Sequence, residues 1–487
     1  MKLVKGVTLL SAAMMLAACG SSSSSDDEDP AQAQTTYSFE SKLKAGESAV
    51  SHSGQSTRHL LINELKTFIK STELKAAASA DDALLELNRI YATGVDSNTA
   101  GSLYNTNVYG TGASTDISNV LTDQQITDGL THLQTSFQDV SDNKNLKGKM
   151  AGCDNNFSQE DGFIGWSIAQ EALVDCGQDD VAVLNEQDKA HTLVQIWFAQ
   201  IADRVAAGEE NVYVTDEGLD LQQLVQKFLL GAVTYSQAAE DYLKATKGLV
   251  KNNIDADGDG KAYTSLEHQW DEGFGYFGAA HDYLAYTDAE NKASPAHDTD
   301  GDTQIDLMKG EYSFGHSINA AKRDVGSDGA TDFSTEAMAA FIAGRKLIND
   351  NVAADTANDG VEAAYYNELV GYAETALGAW EKAIASTVIH YINEVIEETE
   401  TLGTGEGEAS FANRAKHWSE MKGFALSLQF SPIATISRDD LIAVHTNMGE
   451  APVLTADAVV DYVAKLEAAR ELLKDAYQFD AEVVAGW

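Results

Sequence analysis

Two heptapeptides, Trp270-Asp271-Glu272-Gly273-Phe274-Gly275-Tyr276 and Trp418-Ser419-Glu420-Met421-Lys422-Gly423-Phe424, share the form W-x-E-x-x-G-aromatic, and each has a histidine beside its acid. His268 precedes Asp271 by three residues and Glu272 by four, and His417 precedes Glu420 by three. On a helix these spacings set an imidazole and a carboxylate on one face. Helix bundles build metal sites this way, with Glu and Glu-x-x-His side chains converging from facing helices, and such donors suit iron, manganese or zinc. His268, Asp271, Glu272, His417 and Glu420 are therefore candidate metal ligands, provided that the two helices face one another. The alternative is that the Trp and Phe/Tyr residues are core anchors, the glycines packing contacts, and the His and acids ordinary capping or surface groups. The registers also differ: with Trp270 aligned on Trp418, Lys416 rather than His417 falls opposite His268.

Two aspartate-rich stretches flank the first element. Asp255, Asp257, Asp259 and Gly260 match positions 1, 3, 5 and 6 of an EF-hand loop, but position 12 is Leu266, with Glu267 one place late. Asp298, Asp300 and Asp302, followed by Asp306, form a similar run with Thr303 at the glycine position and Lys309 at position 12. These seven aspartates are candidate ligands of weak, structural calcium loops. Acidic turns holding no ion fit the same composition.

The chain carries 33 Lys+Arg against 76 Asp+Glu, a net charge of −43. That balance excludes nucleic acid, whose phosphates need basic partners, and binding to anionic lipid head groups. It suits cations, or simply solubility. Lys2 and Lys5, an apolar run over 7–18 and Leu16-Ala17-Ala18-Cys19-Gly20 predict a lipoprotein signal peptide with Cys19 as the lipid-bearing residue. The apolar run is too short to span a bilayer. Gly20 in place of an aspartate after Cys19 points to an outer-membrane lipid anchor facing the periplasm or the cell surface. Of the other cysteines, Cys153 and Cys176 are expected to pair in an oxidising compartment, closing 22 intervening residues. Paired thiolate ligands lack the support of a CxxC spacing.

The elements that must position these groups read as helices. Four prolines occur in the chain, and apolar residues recur at helical spacing in Leu61, Leu65, Phe68, Ile69; in Leu221, Leu224, Val225, Phe228; and in Tyr462, Leu466, Ala469, Leu473. Further helices are expected around 119–140, 190–207, 235–250, 265–285, 334–349, 361–398 and 411–428. The fold class is all-α, an antiparallel helical bundle with two duplicated helical halves. The expected divisions are a signal peptide over 1–18, a Ser/Asp-rich tether over 19–37, a helical half over 38–290, an Asp/Gly-rich connection over 291–333 and a second half over 334–487. Ser51-His52-Ser53-Gly54-Gln55-Ser56-Thr57-Arg58-His59 is read as a structural helix start with capping hydroxyls.

Three stretches resemble bacterial lipoproteins grouped as domain of unknown function 4856 (DUF4856): residues 53–61, residues 267–277 and residues 420–428. That family has no assigned activity. The lipid-anchored helical design is also similar to the imelysin-like proteins of iron uptake, whose G-x-H-x-x-E motif supplies metal-site residues; here His417-x-x-Glu420 matches and the glycine is absent. The resemblance implies an envelope lipoprotein that handles iron or another divalent metal, working with other envelope or metal-uptake proteins. The alternative is a calcium-stabilised binding module anchored at the surface. G-x-S-x-G, H-E-x-x-H, P-loop and dinucleotide signatures are all missing, so the reading leans away from an enzyme.

Overall fold

The computed structural model describes residues 34–93, 129–142, 144–154, 162–176, 184–353, 364–405 and 408–487. Cys19, the signal peptide, most of the tether, the loop at 97–117 and the start of the helix expected at 119–140 lie outside these residues. Among the described residues, no helix is long and apolar enough to cross a membrane.

The fold is all-α, with two two-residue strands, Thr131–His132 and Gln304–Ile305, paired in parallel. The helices that matter for function are α1 (Ser53–Ile69), α2 (Ala80–Asn88), α3 (Lys189–Ala206), α4 (Leu221–Leu229), α5 (Ser265–Phe277), α6 (Gly315–Gly326), α7 (Phe333–Asp350), α8 (Tyr366–Glu400), α9 (Phe411–Ala425), α10 (Arg438–Met448) and α11 (Val459–Tyr477). Helix α8 is the axis. Its 35 residues span about 50 Å at the usual α-helical rise, and it packs against α6, α7, α9 and α11. Ala373, Ala376, Ala379 and Ala383 on its buried face let those neighbours come close.

Local signals set the boundaries of α5. Thr264 and Glu267 form a reciprocal capping box at its start, and Gly278, left-handed at φ 82°, ends it. The helix expected over 265–285 therefore stops at Phe277. Past α4 the chain continues as two π-helical turns, Leu230–Tyr235 and Ala238–Tyr242, where a regular helix over 235–250 was expected. In the described part of 119–140 the chain makes the strand at Thr131–His132 and a single helical turn, Phe137–Val140.

Residues 35–487 form one compact unit. The stretch 291–333 includes α6, whose His316, Ser317, Ala320, Ala321 and Asp324 are buried. Tyr37, expected in the tether, is fully buried: it stacks on Phe274 with ring centroids 3.7 Å apart.

Candidate functional site

A cleft of about 580 Å³ opens where the start of α1 meets α5. Gly275 sets the crossing: a Cβ there would lie 2.6 Å from His52 Cβ and 3.0 Å from Gln55 Cβ, so only glycine lets the helices approach this closely. The buried face of α5 is fixed from behind by Arg345 of α7. Its Nη1 donates to Glu267 Oε1 at 2.9 Å, its Nε to Asp271 Oδ1 at 2.7 Å and its Nη2 to the Ala49 carbonyl at 3.0 Å. All three charged side chains have zero exposure. Asp271 also accepts from the Tyr37 hydroxyl at 2.7 Å and the Ser51 amide at 3.0 Å.

With that face committed, His268, Gln269 and Glu272 line the cleft. His268 Nδ1 lies 3.1 Å from the Ser51 carbonyl, its Nε2 lies 3.9 Å from Glu272 Oε1, and its ring stacks on Tyr263 at 4.7 Å. Gln55 Nε2 donates to Glu272 Oε1 at 2.9 Å. His52 also lines the cleft; burial lowers its pKa to about 4, so it is neutral at pH 7. Its Nε2 faces His281 Nε2 at 2.8 Å, one ring donating to the other.

The remaining wall is cationic. Arg58, Lys144, Lys149, Lys247, Lys251 and Lys261 line the cleft, against the carboxylates Asp241 and Glu272, in a chain with only 33 Lys+Arg in all. Lys149 pairs with Asp154 at 2.7 Å and Lys247 with Asp241 at 3.0 Å. Among the described residues, Arg58, Lys144, Lys251 and Lys261 have no carboxylate in ion-pair contact. Arg58, 8% exposed, spends Nε on the Asn145 carbonyl and Nη1 on the Gly54 carbonyl. Lys144 reaches over Gly54, where an added Cβ would meet its Cε at 2.9 Å. Burial and the adjacent Arg58 guanidinium hold the Lys144 ammonium below the usual lysine range. The first turn of α1 has neither a capping side chain nor an acid: the Gln55 amide bonds the His52 carbonyl at 3.0 Å, and the stretch read as a capped helix start brings no side chain to its end or its dipole beside these cations.

The second W-x-E-x-x-G element repeats the packing of the first, against different neighbours. Trp270 and Trp418 are fully buried, their indole NH groups bonded to the Phe341 carbonyl and the Tyr462 hydroxyl. A Cβ on Gly423 would lie 2.7 Å from Lys227 Cβ of α4, as one on Gly275 meets α1. Glu420 pairs with Lys227 at 3.2 Å; burial opposes its ionisation, but Lys227 and Lys416 outweigh this and leave it below the usual carboxylate range. His417 hydrogen-bonds Glu398 of α8 at 3.0 Å, which raises its pKa.

The structure thus does not assemble His268, Asp271, Glu272, His417 and Glu420 into one site. Helix α5 packs on α1 and α7, and α9 on α4 and α8; His268 and Glu272 lie 3.9 Å apart on α5, while Glu420 pairs with Lys227 and His417 with Glu398. Asp271 is consumed by Arg345. Among the described residues, two groups of three acidic side chains converge as metal ligands, and none of these five belongs to either.

The first aspartate loop does not converge: Asp257 accepts from the Ser265 hydroxyl, and Asp255 and Asp259 are exposed. In the second, Asp298 and Asp300 do come together, with Glu311 as the third member. Asp302 is turned to the Gln304 amide, and Asp306 to the Met308 amide and the Gln134 side chain. Cys153 and Cys176 are free thiols in this structure; the Cys176 thiol donates to the Gly152 carbonyl at 3.7 Å, and burial, with Cys176 nearby, pushes the Cys153 thiol up.

The cleft's cations were not found from the sequence because they come from separate segments. The usable signal was the acid-free first turn of α1, with Arg58 one turn further on.

Residues 112–294 match the model of a family described as "Domain of unknown function (DUF4856)". Of the three stretches carrying the resemblance, 267–277, the α5 wall of the cleft, lies inside this match. No curated protein and no solved structure matches the chain. The imelysin-like resemblance gains nothing from these comparisons. Over residues 112–294 the chain is therefore similar to the DUF4856 family.

Proposed function

We propose that the protein is a lipid-anchored envelope protein whose α1/α5 cleft binds a small anionic solute, such as a phosphate ester or a carboxylate-bearing metabolite. The observation that carries this reading is the gathering of six cations, four of them without a carboxylate in ion-pair contact, at a helix start with no capping side chain and no acid in its first turn, in a chain of net charge −43. An anion bridging Arg58, Lys144 and the first amides of α1 would relieve like-charge repulsion and satisfy the helix end together. Gln55, Gln269, Ser51 and Ser53 supply neutral hydrogen-bonding groups along the same wall, and Tyr263 a flat face.

The metal-handling reading has one donor pair in this cleft, His268 and Glu272. Two donors from one helix do not fill the coordination shell of iron, manganese or zinc, so on this reading the metal arrives as an anionic chelate whose own oxygens complete it.

Calorimetric titration with phosphate, phosphorylated sugars and di- and tricarboxylates, each alone and as its ferric complex, tests both readings. Saturable binding that weakens with added salt and is lost in Lys144→Gln supports the anion site. No heat at millimolar solute in low salt, or a Kd unchanged by Lys144→Gln, overturns it.

A further inference from the structure

The second aspartate loop contains a different site. One carboxylate oxygen from each of Asp298, Asp300 and Glu311 lies within 4.8 Å of the other two. Glu311 is 1% exposed; its Oε2 accepts from the Asp306 amide at 2.8 Å, while its Oε1 is buried with no hydrogen-bond donor. A carboxylate oxygen left without a donor in the interior is costly. Burial, and Asp300 nearby, hold the Glu311 pKa above the usual range. Asp298 and Asp300 are tied down by the chain around them: Gly301 and Thr303 donate to the two oxygens of Asp298, and Asp302 donates to Asp300 Oδ1.

We infer that Asp298, Asp300 and Glu311 bind one calcium ion, and that Lys309 competes with it from within the chain. An all-carboxylate set on an irregular loop suits a hard cation that tolerates variable coordination, with backbone oxygens and water filling the remaining positions. Lys309 Nζ lies 2.7 Å from Asp300 Oδ2, placing an ammonium on one of the ion's ligands. This lysine is 57% exposed, so it can swing away at little cost when the ion arrives. The cavity beside the site, lined by Asp300, Lys309, Glu311 and Thr299, gives the ion access. The site shares no residue with the anion cleft, and its fate is independent of that reading.

The test is calcium titration of the full chain by calorimetry and thermal melting. Wild type should bind one calcium. Glu311→Gln, which keeps the acceptor for Asp306, should abolish binding, and Asp302→Asn should leave it within about twofold because Asp302 faces Gln304. Lys309→Met should tighten binding roughly fivefold, as expected for removing an exposed ion pair. No calcium uptake in either wild type or Lys309→Met, or an unchanged Kd in Glu311→Gln, overturns the inference.

Discussion

Replacing Arg345 by Met separates charge from packing at the centre of the fold. Methionine fills most of the arginine volume, but it leaves Glu267 and Asp271, both at zero exposure, without the guanidinium that now lies 2.9 and 2.7 Å away. It also removes a donor from the Ala49 carbonyl and a cation 5.0 Å above the Phe39 ring. Breaking a buried pair from one side costs ~3–5 kcal/mol, most of it the penalty of the stranded charge. Urea unfolding at pH 7 should show a loss of that size. The pH dependence carries the sharper signature. In the wild type, burial already raises the Asp271 pKa and Arg345 offsets part of that rise; in the variant the offset is gone. A carboxyl whose folded pKa exceeds its unfolded value, about 3.9 for Asp, binds more protons folded than unfolded in between, so stability falls as pH rises through the folded pKa. The deficit should therefore be larger at pH 7 than at pH 5. Adding Glu267→Gln and Asp271→Asn to Arg345→Met should recover much of the loss, since the new glutamine amide keeps the capping acceptor and no charge stays buried. A loss below ~1 kcal/mol, a deficit equal at both pH values, or no recovery in the triple variant would refute the reasoning.

Lys422 is fully buried with its Nζ on the Gly449 carbonyl at 2.7 Å, and burial lowers its pKa to about 7. Between there and the unfolded value of about 10.4, the unfolded chain holds more protons, so this residue makes stability rise with pH from 7 to 10; urea titrations should show that Lys422→Met lacks the rise and is the more stable protein below pH 7. Gly275→Ala should push α1 off α5, costing ~1–3 kcal/mol in unfolding experiments and weakening anion binding, whereas alanine at Gly371, which has nothing within 4 Å, should do neither. Lys144→Gln should leave the ligand-free melting temperature equal or higher while abolishing the salt-dependent binding, because Arg58 loses a like-charged neighbour. Oxidised protein should show no thiol at Cys153 or Cys176 by denaturing thiol titration, and Cys153→Ser should cost up to ~3 kcal/mol under oxidising conditions only.

The helical class was legible because long proline-free segments with apolar residues at helical spacing leave little else; Leu61, Leu65 and Phe68 on α1 and Leu466 and Leu473 on α11 are buried as their spacing requires. The ends of helices were less legible. Gly278 stops α5 through a left-handed turn that a lone glycine among Gly273 and Gly275 does not announce. The W-x-E-x-x-G repeat pointed to two equivalent pieces of packing, tryptophan inside and glycine at a crossing, and the histidines beside it suggested a chemistry that the packing partners do not share. Local spacing tells which residues lie on one helical face, not which helix that face meets. For the same reason Asp271 looked like a ligand: its partner Arg345 lies 74 residues away. The cleft could not be read at all, since Lys144, Lys251 and Lys261 sit in segments whose proximity only the tertiary fold creates.

The two π-helical turns after α4 give the cleft a determinant that no substitution scan would find. A π turn holds one more residue than an α turn, and the second one, Ala238–Tyr242, packs on α5 and carries Asp241 and Tyr242 into the cleft wall. Deleting a single residue there would turn the following side chains by about 100°, withdrawing the Asp241 carboxylate from Lys247 and adding an unpaired cation to the wall. Relatives that differ in length by one residue at this point would then differ in the charge that they present to a ligand, with every lining residue type unchanged.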